Sequence, residues 1–260
     1  MQLVTAARGA RRLESPLSAA VEAPRAGAQK DKSVRLSLLN AFALVCDGVT
    51  IELPLTAQRL LAFVALHDHP LQRAYVSGVL WADSTQDRAA GSLRSSLWRL
   101  HRPGYQLIDA SSTHLDLADG VEVDVRRGLA HARRLLAGAG ADVDGDDAAL
   151  HGELLPDWYD DWVLFERERF RQLALHALEA QAERLLELGR PLEALQGALA
   201  AVRSEPLRES GHRLLIRVHL AEGNAVEALR QFELCRRLLR DRLGLDPSPQ
   251  LVELVAPLTR

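Results

Sequence analysis

The chain has 260 residues, 47% of them hydrophobic and 26% charged, with a formal net charge of -3; this is the profile of a soluble globular protein with room for one large domain or two ordinary ones. Residues 1–33 carry 6 Lys/Arg against 3 Asp/Glu, residues 34–125 carry 7 against 10, and residues 126–260 carry 19 against 22. No segment is basic in bulk, so any nucleic-acid partner must be met by a local stripe and not by a domain-wide field.

Residues 1–33 are rich in Ala, Arg, Gly and Pro without a sustained period and read as a disordered leader. The opening "MQLVTAARGARRLE" has no apolar core long enough for a secretion signal, and no uncharged apolar run of about 18 residues occurs anywhere, so no membrane helix is expected. From Val34 the pattern alternates. Val34, Leu36 and Leu38 lead to "FALVC", then Asp47-Gly48, then "VTIEL", which predicts three short antiparallel strands with a tight hairpin at Asp-Gly. Cys46 and Cys235 lie far apart in apolar surroundings and predict buried, reduced thiols suited to the cytoplasm.

"LTAQRLLAFVALHDHP" then takes a helical period, with Thr56 as a candidate cap and Leu60, Leu61, Val64 and Ala65 on one face. A second helix is predicted over Arg73–Trp81 and a third over about 85–102. "YQLIDA", a polar corner "SSTH" (Ser111–His114) and "HLDLADGVEVDV" predict a closing hairpin over 105–123. Three helices followed by a hairpin are the makings of a winged helix-turn-helix over 34–125.

Beyond Val125 strand signals vanish. A helix and an acidic linker are expected over 126–153, and an all-helical domain over 154–260, with a long helix from Trp158 to Leu188. "GRPLEAL" at Gly189 recurs as "GNAVEAL" at Gly223, an interval of 34 residues, the period of tetratricopeptide helix pairs. Ala194, Ala201 and Pro206 follow in the first copy; Ala228, Cys235 and Arg240 stand at the matching places in the second.

The third helix bears the functional signal. Arg88, Ser92, Ser95, Arg99 and Arg102 are spaced 4, 3, 4 and 3 apart and form one polar stripe, against an apolar stripe of Ala89, Leu93, Leu97 and Leu100. With Arg94 and the lone acid Asp87, residues 85–102 carry a local charge of +3. Guanidiniums bind guanine edges or phosphates of double-stranded DNA, and serines permit close approach. Thr113 and His114 at the hairpin tip, with Arg59 and Arg73 near the starts of the first two helices, are further candidate contacts, although a salt bridge or simple exposure explains each arginine nearly as well. A solvated amphipathic helix is the competing explanation for the whole stripe. Trp98 is expected at the edge of the core more than on a base, and Trp81 within the core.

"LPLTAQRLLAFVALHDHP", "VLWAD" and "RAAGSLRSSLWRLHRP" resemble the DNA-binding domain of the Streptomyces antibiotic regulatory protein (SARP) family. "LLPDWYDDWVLFERERFRQLALHALEA" and "ALAAVRSEPLRESGHRLLIRVHLAEGNAVEALRQFELCRRLLRDRLGLDPSPQL" resemble the bacterial transcriptional activator domain that follows it there. The resemblance spans roughly residues 34–258. It implies a response-regulator-type winged helix joined to a tetratricopeptide-like domain, acting as a cytoplasmic transcriptional activator. Its implied partners are RNA polymerase and a second copy of the chain on DNA. Family members often carry Arg-Asn-Ser-Leu-Arg where this chain has Ala90-Gly91-Ser92-Leu93-Arg94, so base preference is expected to differ; Gly91 also costs the helix about 1 kcal/mol relative to Ala.

Asp142–Glu153 places acids at four calcium-loop positions but puts Asp147 where glycine is needed, so an acidic linker is the better reading. No histidine pair with zinc-enzyme spacing, nucleophile elbow or phosphate-binding glycine loop occurs; neither metal, cofactor nor enzymatic activity is expected. The rival to a DNA-binding regulator is a tetratricopeptide-type scaffold whose winged helix binds protein, favoured by the net charge of -3 over 34–125.

Overall fold

The computed structural model describes residues 33–138 and 147–258. Nearly all of the expected leader, and the acidic stretch 139–146 with part of the calcium-loop template, lie outside the described residues.

Strands β1 (Val34–Ser37), β2 (Ala43–Cys46) and β3 (Val49–Thr50) form the expected antiparallel meander. Cys46 pairs with Val49 across a two-residue loop in which Asp47 and Gly48 both take positive φ, 48° and 82°. That geometry matches the right-handed twist of the strands, and Asp-Gly is among the few pairs that adopt it cheaply. Helix α1 (Leu55–Ala65) buries seven of its eleven residues. It starts from Pro54, whose carbonyl accepts the Ala57 and Gln58 amides. Thr56 therefore sits inside the first turn, without the capping role expected of it.

β4 (Leu71–Gln72) leads directly into α2 (Arg73–Leu80), followed by α3 (Gln86–Leu100). The hairpin after α3 is shorter than 105–123. β5 (Ile108–Ala110) pairs with β6 (His114–Leu117), and β6 also pairs with β4. At Asp119-Gly120, with Gly120 at φ 85°, the chain turns away, and β7 (Val121–Val123) runs parallel to β1. Two sheets result, ordered β3-β2-β1-β7 and β4-β6-β5. The split is a matter of which core each strand joins: Leu115 and Leu117 bury under α1, whereas Val123 pairs beside Leu36.

Helix α4 (Asp124–Leu136) follows without a break. From residue 161 to 258 the chain is mostly helical: α5 (Asp161–Glu187), α6 (Pro191–Ser204), α7 (Glu209–Ala221), α8 (Ala225–Leu243) and α9 (Pro249–Val255). The repeat is visible in atomic detail. Gly189 and Gly223 end α5 and α7 at φ 72° and 77°, and the next amides, Arg190 and Asn224, return to Leu185 and His219 carbonyls at 2.9 and 2.8 Å. This is the glycine-terminated helix end in which a left-handed residue satisfies orphan carbonyls. Ala194, Ala201, Ala228 and Cys235 are all at most 1% exposed, because small side chains let the paired helices approach. Burial also drives the Cys235 thiol up to about 11, so it stays protonated.

One hydrophobic core runs through both halves, from Val34 and Leu36 to Phe170 and Leu178. Its polar fastening is the Asp124 carboxylate at the start of α4. Oδ1 accepts the Leu38 amide at 2.9 Å and the Val125 amide at 2.7 Å, and Oδ2 accepts the Leu39 amide at 3.1 Å. Nearby the Leu155 amide donates to the Leu38 carbonyl at 2.9 Å and the Asn40 amide to the Glu153 carbonyl at 2.7 Å. Removing the carboxylate strands partly buried amides, so Asp124→Ala is expected to cost about 1–3 kcal/mol, read as a lower urea midpoint at unchanged slope.

Candidate nucleic-acid interface

Helix α3 begins after Thr85, which is extended at φ -62° and ψ 153°, and has Asp87 in its first turn, where a negative charge suits the helix dipole. It stops at His101, also extended, ahead of Arg102-Pro103. Its inward residues are Ala89, Leu93, Ser96 and Leu100. At roughly 100° per residue, the direction opposite that row passes through Asp87, Gly91, Arg94, Ser95 and Trp98.

The stripe expected from the sequence lies to one side of this outward face. Arg88, Arg94, Ser95 and Arg99 are exposed, whereas Ser92 is half-buried. Arg99 donates through Nη1 to Thr56 Oγ1 at 3.1 Å. Arg102 lies beyond the helix and folds back, its Nη1 donating to the Arg99 and His101 carbonyls at 3.0 and 3.1 Å; it finishes the helix. Among the described residues the guanidiniums of Arg88 and Arg94 meet no acceptor. A Cβ built at Gly91 would meet only Arg94 Nη2, 3.7 Å away.

Trp98 overturns the expectation of a core-edge residue, for it is 78% exposed. The inward row runs through Ser96 and not Leu97, which leaves Leu97 half-buried and swings Trp98 to the middle of the solvent side. A buried serine conceals that phase from a reading based on apolar residues. The 4, 3, 4 spacing of Ala89, Leu93, Ser96 and Leu100 was the available signal. Trp81, expected in the core, is half-buried and packs against it.

The hairpin tip and the start of α2 are tied together. The Arg73 amide donates to the Thr113 carbonyl at 2.8 Å and its Nη1 to the Ser111 carbonyl at 3.1 Å. Ser111 Oγ accepts the Thr113 and His114 amides at 3.2 and 2.9 Å, and Thr113 Oγ1 lies 2.9 Å from His114 Nδ1. Thr113 and His114 are exposed at the tip. Between α3 and β5 runs an open cleft of about 550 Å3 lined by Leu97, His101, Arg102, Tyr105, Gln106 and Ile108, among others. Tyr105 donates its hydroxyl to Asp47 Oδ2 at 2.7 Å, and that bond raises its pKa.

Arg59 behaves differently from the other arginines. It forms an ion pair with Asp160, just before α5, with both side chains about three-quarters buried. Among the described residues no cluster of three or more His, Cys, Asp or Glu could hold a metal ion, and no helix is long and apolar enough to cross a membrane.

Residues 115–258 match the model of the bacterial transcriptional activator domain. The chain belongs to that family. Similar proteins include the regulatory protein AfsR of Streptomyces coelicolor, 28% identical over 246 residues, which is 87% of this chain and 24% of that one. AfsR of Streptomyces griseus is 36% identical over 89 residues, 34% of this chain and 9% of that protein. The chain thus spans about a quarter or less of the length of these relatives. In fold it is similar to Mycobacterium tuberculosis EmbR, solved in complex with a low-affinity phosphopeptide, with a TM-score of 0.71 and 21% identity over 88% of this chain and 66% of that one.

The Arg59–Asp160 pair generates a test of its structural role. Arg59→Ala is expected to lower stability by roughly 1–2 kcal/mol, seen as a lower melting midpoint.

Proposed function

We propose that this chain is a sequence-specific regulator of transcription that binds double-stranded DNA, and that it acts as an activator in the cytoplasm. On this reading residues 34–125 are a winged helix-turn-helix of the response-regulator type, 126–153 a connecting segment, and 154–260 a tetratricopeptide-like domain. α3 enters the major groove, and the β5–β6 tip with Arg73 meets the flanking backbone. RNA polymerase and a second copy of the chain are the protein partners, as family membership implies. No enzymatic role is assigned.

The observation that carries this reading is the solvent side of α3, where Arg94 on the outward face and Arg88 beside it are exposed without an acceptor among the described residues while residues 34–125 are acidic in balance. Arg94 takes the central role that the sequence assigned to the whole stripe. Arg59 drops out, and Arg99 and Arg102 contribute mainly by holding α3 to Thr56 and closing its end.

The scaffold reading is favoured by apolar exposure at equivalent repeat positions, Leu192 at 69% and Val226 at 62%. Fluorescence anisotropy with random duplex DNA at two salt concentrations separates the two. Phosphate contacts require affinity to fall with salt at a slope of about -0.9 per phosphate neutralised; absent or salt-independent binding would leave the scaffold. On a duplex selected from a random pool by the full chain, Arg94→Ala is expected to weaken binding by about 1–3 kcal/mol. Equal affinity of the variant and the parent would remove Arg94 from the interface.

A further inference from the structure

Trp98 stands at the centre of the outward face of α3, 78% exposed, with Arg94 one turn before it, Ser95 beside it and Gly91 two turns back. Arg94 and Ser95 are exposed and polar, and Gly91 has no side chain, so the indole is the one large apolar group on this ridge. Water is a poor environment for it, and packing against the chain's own core is denied by the phase of the helix.

From the indole's chemistry and its placement we infer that Trp98 is a specificity-determining residue that packs on the C5-methyl group of a thymine in the major groove. The inference rests on the DNA-binding reading above. A helix in the major groove meets donors and acceptors at every base pair, but the thymine methyl is the only apolar feature that unmodified DNA presents there. An apolar ring in the middle of a polar reading face has that methyl as its complement. Wedging between base steps belongs to side chains that attack from the minor groove, which a helix seated in the major groove does not reach. The flanking arginine, one turn before the ring, fixes the register.

The contact is a methyl group buried against a ring, so its loss is expected to reduce affinity about fourfold. The probe is the duplex selected from a random pool by the full chain, resynthesised with each thymine in turn replaced by deoxyuridine, which lacks only the methyl. One replacement is expected to weaken the parent chain about fourfold and to leave Trp98→Ala unaffected, while Trp98→Ala itself binds the unmodified duplex several-fold more weakly than the parent. Trp98→Phe keeps an aromatic face and is expected to retain part of the sensitivity to deoxyuridine. If every deoxyuridine duplex binds the parent normally, or weakens parent and Trp98→Ala alike, the thymine assignment is overturned; salt-dependent binding would still uphold the DNA-binding reading. A Trp98→Ala chain that loses the same factor on all duplexes, selected or random, points to sugar or phosphate contact and also overturns it. If no duplex is enriched and no salt-dependent binding occurs, the DNA-binding reading itself falls, a result distinguishable from the others. At 78% exposure Trp98 supports no core, so the variants are expected to fold as the parent does.

Discussion

The contact of Ala89, Leu93, Ser96 and Leu100 with the helices beneath them decides what this protein offers to a partner. All four are buried to 4% exposure or less, and burying each of the two leucines contributes about 1.5–3 kcal/mol. A rotation of α3 by one residue would bury the guanidinium of Arg94 in one direction, or those of Arg88 and Arg99 in the other, and lift a leucine toward water. The helix is therefore held in one phase, and the outward set of Asp87, Gly91, Arg94, Ser95 and Trp98 follows from it without any further choice. The Thr56–Arg99 hydrogen bond at 3.1 Å tightens the same contact from the side.

The second constraint is the joint around Asp124. A carboxylate at the first residue of a helix is favoured by the helix dipole, and here it also gathers amides from the segment that follows β1. Arg126 reaches from the same helix to the Ala65 carbonyl at 2.8 Å, and Arg167 on α5 reaches the Trp158 carbonyl at 2.8 Å. Phe42 stacks on Trp158, and Phe63 meets Trp162 edge-on at 5.2 Å. The Arg126 bond and the two ring contacts join halves of the chain, and at Phe42 and Trp158 the partners lie more than a hundred residues apart in sequence. A partner held by α5–α8 would thus be carried at a fixed orientation to α3, which is what a protein that positions other machinery on DNA requires.

Much of the fold was legible because its signals are local. Asp47-Gly48 demands left-handed backbone at both positions, and few residue pairs supply it. Gly189 and Gly223 repeat one helix ending 34 residues apart, and the buried alanines that follow mark the packed side of each pair. What escaped was non-local. Nothing near β7 says that its partner is β1 and not β6, because alternation identifies a strand and not its neighbour. Arg59 and Asp160 are 101 residues apart, so the sequence could pair them only as one of many acid–base combinations. The phase of α3 was misjudged for a third reason: a serine occupies an inward place, and Leu97 competed with it for the role. The arginines themselves were found, but their relative importance depends on that phase.

The acidic balance of residues 34–125 does not oppose an anionic partner as strongly as the net charge of -3 implies. Several of the acids keep their charge but face donors of the chain itself: Asp124 at the joint, Asp47 toward Ser33 and Tyr105, Asp109 toward Gln106. Asp87 alone shares α3 with the arginines. At physiological salt the Debye length is about 8 Å, so charges a helix diameter or more away are largely screened from a ligand at the α3 surface, while Arg88 and Arg94 act at contact distance. The field felt by a phosphate is then set by the few charges on one face of one helix. On the proposed reading such a protein gains little from long-range attraction, and discrimination would rest on contacts made in the groove, the guanidinium of Arg94 and the apolar face of Trp98 foremost among them.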